Sequence, residues 1–243
     1  FWEFGEPDWD YTKYFIMFGV AEDHDSNPIK KGLGKLKTRG AKFISVNPVR
    51  TGYSGIADEW IGIRPGTDGL FVMSLIRELL LAGKIDEEYL VRYTNVHWLV
   101  IQNPGGADHG LNVRDENNVA QCWDGEKQAL AANTDVNAKP MLVGEVTLSD
   151  GRKAVPSFQL MVEQYLDDKY APDEVAETTG IAADDIRRIA AEMAEVAFEQ
   201  SIELPIEWVD SFGRKHDKVI GRPVAMHAMR GISAHSNGFH TCR

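Results

Sequence analysis

Apolar and polar residues fall into alternating blocks along the first ninety positions. Tyr14-Phe15-Ile16-Met17-Phe18-Gly19-Val20 is a continuous apolar run broken only by its glycine, the pattern of a strand buried on both faces of a parallel sheet. A helix is expected over residues 28–37, with Pro28 suited to its first turn and Gly40 closing it. Lys42-Phe43-Ile44-Ser45-Val46 reads as a second strand stopped by Asn47-Pro48, and Trp60-Ile61-Gly62-Ile63 as a short third. Residues 68–82 form a helix with Gly83 as its stop; its crowded apolar positions, among them Leu70, Leu75, Ile76 and Leu79, predict burial on more than one side. Another short helix is expected over 86–93.

This order predicts an α/β fold, a Rossmann-like, mostly parallel sheet with right-handed crossovers and helices on both faces. Ligands of such sheets bind outside the carboxyl ends of the strands. That places segments 19–27, 47–51 and 64–68 on one rim. Residues 95–154 break the pattern. They are rich in Asn, Gly and Asp, hold short apolar pieces at 98–101, 121–123 and 141–146, and read as an irregular insertion of hairpins and loops with a turn at Ser149-Asp150-Gly151. From Val155 the chain is expected to be helical again, with a helix over 172–179 capped by Gly180 and an amphipathic one over 184–197. Residues 222–226 read as a final strand running into a turn at Gly231.

Composition narrows the function classes. The 243 residues carry 26 Lys and Arg against 37 Asp and Glu, a formal charge of −11. So acidic a chain is poorly suited to wrapping nucleic acid or an anionic membrane face. Cys122 and Cys242 are the two cysteines, too few for a disulfide scaffold or for an iron–sulfur site held by four thiolates.

Three rim segments carry candidate chemistry. Arg64-Pro65-Gly66-Thr67-Asp68 follows a strand and opens a helix, whose N-terminus suits an anion; Asp68 is either a plain helix cap or an acceptor for the N–H and NH2 of a guanine edge. Asn47 with Arg50 and Thr51 sits where a polar residue reaches a ribose hydroxyl in nucleotide-binding sheets, or else opens an Asn-Pro turn. In the segment from Ala228 to Gly238, Gly231 and Gly238 allow close backbone approach and Arg230 can clamp a phosphate; the alternative is a surface turn. Other patterns carry less. His227, His235, His240 and Cys242 lack two tight ligand pairs, Asp23-His24-Asp25 reads as a solvated loop, and Gly32-Leu33-Gly34-Lys35 lies inside a helix without a phosphate-loop frame. No GxGxxG follows the first strand and no GxSxG occurs.

Taken in order, these segments resemble the molybdopterin oxidoreductases of the dimethyl sulfoxide reductase family. The resemblance rests on Ala57-Asp58 followed by a short strand and Pro65-Gly66-Thr67-Asp68, on Gly40-Ala41-Lys42 leading a strand to Asn47-Pro48, on the 86–95 stretch ending in Tyr93-Thr94, on Tyr170-Ala171-Pro172 through Thr179-Gly180-Ile181, and on the glycine-bounded turn 231–238.

The resemblance implies a fragment of a catalytic subunit. Residues 1–225 would form the α/β domain binding molybdopterin guanine dinucleotide, and 226–243 the start of a neighbouring cofactor-binding segment. The cofactor would be bis(molybdopterin guanine dinucleotide) with molybdenum or tungsten. Gly66, Thr67 and Asp68 would meet the guanine. Asn47, Arg50 and Thr51 would contact its ribose or diphosphate, Arg230, Gly231, His235 and Gly238 would lie toward the pterin, and Gly19 and Arg64 would also contact the cofactor. Two departures stand out: Ala21 replaces a frequent Asn, and Asn47 a usual Asp. The metal ligand is expected upstream of Phe1, and any iron–sulfur cluster outside the chain. Implied partners are an iron–sulfur electron-transfer subunit plus a membrane-anchor subunit, with a small sulfur or nitrogen oxyanion as substrate for oxo, sulfur-atom or electron transfer. The alternative is a stand-alone, non-catalytic α/β module that binds a nucleotide or cofactor.

Overall fold

A computed structural model describes residues 8–20, 29–210, 212–228 and 230–242. In chain order the elements begin with β1 (Tyr14–Phe18), α1 (Ile29–Thr38), β2 (Lys42–Val46), α2 (Gly52–Ile56), β3 (Glu59–Ile61) and α3 (Asp68–Leu81). There follow α4 (Glu87–Tyr93), β4 (Leu99–Gln102), β5 (Gln121–Asp124), β6 (Ala129–Ala132), β7 (Val146–Thr147), β8 (Lys153–Pro156) and α5 (Ser157–Tyr165). The last stretch holds α6 (Pro172–Thr179), α7 (Ala183–Glu199), β9 (Ile202–Leu204), β10 (Trp208–Val209), β11 (Lys215–His216), β12 (Val219–Gly221), β13 (Val224–Ala228) and α8 (Gly238–Cys242), with a 3-10 turn at Arg230–Ser233. Two compact units result. One comprises Phe1–Lys84, Asp167–Pro205 and Lys218–Arg243, the other Ile85–Leu166 and Ile206–Asp217.

The first unit is built on a four-stranded sheet of order β13-β1-β2-β3, parallel throughout. All five residues of β1 are buried, and the two-residue strand period divides them. Tyr14, Ile16 and Phe18 join Ile44 and Val46 under α3, α6 and α7, in a core with Phe71, Leu75, Val175, Ile186 and Ile189. Phe15 and Met17 face the opposite layer with Phe43, Leu33 and Leu36 of α1, and Tyr53 of α2. Each such fully buried side chain contributes roughly 1.5–3 kcal/mol of transfer free energy. On this second face Gly32 of α1 leaves room for the Trp9 ring: a Cβ there would fall 2.3 Å from two ring carbons.

The second unit holds a three-stranded antiparallel sheet β4-β8-β7 and the hairpins β5–β6 and β10–β11. The irregular segment expected at 95–154 lies inside it. Gly151, at φ +87°, makes the β7–β8 turn, with Leu148 N donating to Arg152 O at 2.8 Å.

Some boundaries differ from the expectations. The third strand is Glu59–Ile61 and stops before Ile63, because the Arg64 N–H donates to Thr179 O at the end of α6 and so leaves the ladder. The last strand is shifted to Val224–Ala228, since Pro223 has no N–H to give and offers only its carbonyl, to Lys13 and Tyr14. Helix α5 begins at Ser157 rather than Val155, which pairs with Val100 in the sheet. Pro28, at the expected start of α1, and rim residues 21–27 with Asp23-His24-Asp25 lie outside the described residues.

Candidate functional site

The strand order defines a crevice. From β1 the chain winds through β2 to β3 on one side, while β13 lies on the other. Such a reversal leaves a gap at the carboxyl edge, here between the ends of β1 and β13. Gly19 follows β1 there, with φ +63° and its N–H on Val46 O at 2.9 Å. Gly231 lies in the turn after β13. A Cβ on Gly231 would sit 2.9 Å from the Gly19 carbonyl oxygen and 3.3 Å from its Cα, closer than side-chain carbons approach backbone. Two glycines thus let two loops meet at the switch point.

The segment after this crossing packs on the turn that opens α3. Gly66 adopts φ +81°, and its carbonyl accepts from Asn237 Nδ2 at 2.9 Å. A Cβ on Gly66 would lie 3.5 Å from His235 Cγ, and one on Gly69 3.2 Å from Thr241 Oγ1. Gly238 is equally constrained: a Cβ would fall 2.1 Å from Ser233 O. Gly19, Gly66, Gly231, His235 and Gly238 are therefore brought together. Arg230 opens the 3-10 turn between them.

Asp68 is the charged group of this edge. It is the first residue of α3 and is buried, at 6% exposure. Thr67, one position earlier, does not cap the helix with its hydroxyl, which instead donates to Arg64 O at 2.7 Å. Burial pushes the Asp68 carboxyl above the usual range; its own N–H and the nearby His235 pull in the other direction without reversing this. Among the described residues no side chain donates a hydrogen bond to it.

The remaining rim residues are placed differently. Asn47 is buried, and its amide is used within the chain: Nδ2 donates to Val20 O at 3.0 Å, and Oδ1 accepts from Val49 N at 3.2 Å. It makes the Asx turn that Asn-Pro foreshadows. Trp60 Nε1 donates to its carbonyl at 3.0 Å. Thr51 precedes α2, and its N–H donates to Ser54 Oγ at 3.3 Å. Arg50 is exposed and has no hydrogen bond or ion pair among the described residues. Arg64 turns to the C-terminal end of α6, donating to Glu177 O at 2.6 Å, and packs beside Gly180. Asn237, Thr241 and Trp60, which tie the edge together, are not among the sequence candidates; only the Gly-bounded segment hints at the first.

Among the described residues, no three His, Cys, Asp or Glu side chains converge on a metal position. Nor is any described helix long and apolar enough to cross a membrane.

No family model matches the chain. It is 49% identical over 252 aligned residues to a sulfite dehydrogenase subunit of Allochromatium vinosum, covering all of this chain and 26% of that protein. It is 25% identical over 223 residues to the perchlorate reductase alpha subunit of Dechloromonas aromatica, covering 77% and 24%. It is 31% identical over 159 residues to a putative dimethyl sulfoxide reductase catalytic subunit of Halobacterium salinarum, covering 63% and 18%. The chain thus spans about a quarter or less of the length of these relatives. Among solved structures, acetylene hydratase from Pelobacter acetylenicus shares the fold, with a TM-score of 0.53 at 16% identity over 96% of this chain and 20% of that one.

Proposed function

From the premise that this chain belongs to the molybdopterin oxidoreductases, we propose that it anchors the nucleotide end of a molybdopterin guanine dinucleotide in a catalytic subunit dependent on molybdenum or tungsten. Asp68 carries this reading. Its carboxylate meets its own backbone N–H and, among the described residues, no side-chain donor, so it keeps acceptor capacity for a ligand. Guanine presents an N–H and an amino group side by side, which a carboxylate accepts in parallel; adenine has no such pair. Asp68 stands at the start of α3, next to the Gly66 turn and to His235.

The other groups fit the same cofactor. At Gly19 and Gly231 backbone is exposed to a diphosphate with no Cβ in between. Arg50 is a guanidinium without a partner among the described residues, suited to phosphate. Asn47 and Thr51 shape the ribose side, Asn47 through its turn rather than a free amide. Arg230, His235 and Gly238 lie toward the pterin. Arg64 enters as a support of the Gly66 turn, through its grip on α6.

When bound, the metal centre supplies the change of oxidation level that accompanies transfer of an oxygen or sulfur atom. The chain's own part is to hold and orient the nucleotide. A small sulfur or nitrogen oxyanion is the proposed substrate, with the 49% identity to a sulfite dehydrogenase subunit favouring sulfur. The proposed partners are an iron–sulfur electron-transfer subunit plus a membrane-anchor subunit, supported in general terms by relatives that are themselves named as subunits.

Titration of the purified chain with GMP, and with AMP as control, tests the guanine site through the fluorescence of Trp60 at the rim. GMP should give a saturable change that AMP does not, and Asp68→Ala should abolish it. An equal response to both nucleotides, or none to either, unaltered by Asp68→Ala, overturns the reading.

A further inference from the structure

Two glycines flank Asp68, and one distant segment packs on both. Pro65 and Gly66 form the middle of a turn closed by Thr67 N donating to Arg64 O at 3.3 Å, with Gly66 at φ +81°, the arrangement of a type II turn. The Gly66 carbonyl accepts from Asn237 Nδ2 at 2.9 Å. A Cβ on Gly66 would lie 3.5 Å from His235 Cγ and 3.7 Å from Asn237 Oδ1. Gly69 leaves room for Thr241: a Cβ there would fall 3.2 Å from its Oγ1 and 3.5 Å from its Cα. Segment 235–241 therefore meets the start of α3 both before and after Asp68.

Asn237 joins the two contacts. Its side chain holds the Gly66 carbonyl, and its own backbone carbonyl accepts from Thr241 N at 3.0 Å and from Thr241 Oγ1 at 3.3 Å. The peptide unit between Gly66 and Thr67 is thus held at both ends, its oxygen by Asn237 and its N–H by Arg64 O. Arg64 is fixed in turn, with its N–H on Thr179 O at 2.8 Å. This peptide leads the backbone into Asp68, so its orientation sets where the carboxylate points. Asn237 itself is exposed and is not part of the apolar core.

We propose that Asn237 is a positioning residue for nucleotide selectivity: by pinning the Gly66 carbonyl it holds the Asp68 carboxylate where both oxygens accept together from the N–H and the amino group of guanine. The role rests on the guanine reading of Asp68. Two parallel hydrogen bonds demand closer alignment than one. A carboxylate free to swing still accepts a single bond, and a purine without the 2-amino group then binds nearly as well. The effect of Asn237 falls on discrimination between nucleotides rather than on the existence of a site.

Inosine monophosphate keeps the ring N–H of GMP and lacks its 2-amino group, so it isolates the second bond. The chain and its Asn237→Ala variant are titrated with each nucleotide through Trp60 fluorescence and melted in parallel. The parent should bind GMP more tightly than inosine monophosphate by about tenfold or more. In Asn237→Ala the ratio should fall to about threefold or less, through weaker GMP binding with inosine monophosphate binding little changed. The thermal midpoint should move by about 4 °C or less. Gly69→Leu, which drives Thr241 off α3, should lower the ratio too. An Asn237→Ala chain that keeps the parental ratio, or loses affinity for both nucleotides by the same factor, overturns the proposal and leaves the guanine reading standing. A parent chain that binds neither nucleotide, or does not prefer GMP, overturns the guanine reading and this role with it.

Discussion

The backbones of Gly19 and Gly231 meet at the switch point of the sheet so closely that a Cβ on Gly231 would lie 2.9 Å from the Gly19 carbonyl oxygen. This contact joins the loop after β1 to the turn after β13. Alanine at 231 must push one loop away, at a cost of about 1–3 kcal/mol. Gly231→Ala should lower the urea midpoint accordingly and weaken GMP binding. Gly19→Ala adds the strain of φ +63°, roughly 1–2 kcal/mol.

Asp68 should trade stability for binding. Its folded carboxyl is raised by burial, so the folded state holds its proton more tightly than the unfolded chain. Stability from this group is complete below the ordinary carboxylate value and declines as pH rises through the raised one. Asp68→Asn should therefore be more stable than the parent at pH 7, with the difference vanishing at acid pH, and should bind GMP more weakly by about 1.5–3 kcal/mol for the lost charged hydrogen bonds. Urea titrations at several pH values, beside GMP titrations, read both effects. An Asn variant less stable at pH 7 would show that the carboxylate is satisfied within the chain.

Arg64 should behave as a structural residue. Its guanidinium donates to carbonyls at the end of α6 and is exposed, so Arg64→Ala should cost about 0.5–1.5 kcal/mol while changing GMP affinity far less than Asp68→Ala does. Parallel denaturation and titration separate the two residues.

In the second unit, Asp210 anchors the β10–β11 hairpin. Its buried carboxylate accepts from Phe212 N and Arg214 N, both at 2.9 Å, and pairs with His216 Nε2 at 3.0 Å and with Arg92. Burial opposes its charge, but the His216 bond, the two N–H groups and Arg92 outweigh it and hold it at about 2. A lowered carboxyl stabilises above its unfolded value and loses that contribution as pH falls toward the folded one. The near-ultraviolet signal of Trp208, stacked on His216 at 4.5 Å, should persist down to about pH 2–3. In Asp210→Ala it should already be reduced at neutral pH.

The sheet and its rim are legible in the sequence because punctuation and period agree. The apolar run of β1 needs both faces buried, and the stops at Gly40, Gly83 and Gly180 are left-handed positions in the structure, at φ +74°, +64° and +78°. Helix α2 is not legible in the same way. Gly52-Tyr53-Ser54-Gly55-Ile56 has poor helical propensity, and the turn is held by burial of Tyr53 and by Ser54 against Ser45 at 3.2 Å. The role of Arg64 is invisible for another reason: Glu177 lies 113 residues away, and no local pattern encodes such a contact. The sequence leaves Asn47 open between ribose contact and turn, and its side chain is found in the turn. At the helix start, Thr67 rather than Asp68 takes the cap position but points its hydroxyl to Arg64 O, and among the described residues no side chain donates to the Asp68 carboxylate.

The most direct test of the central claim is the nucleotide carried by the native polypeptide. The enzyme is purified from its source cells, its cofactor is released by mild acid, and the nucleotide and metal are quantified in the same preparation. Guanosine monophosphate accompanied by molybdenum or tungsten, with both lost from an Asp68→Ala preparation that is still folded, is the predicted result. An adenine or cytosine nucleotide, or neither nucleotide nor metal, would contradict it.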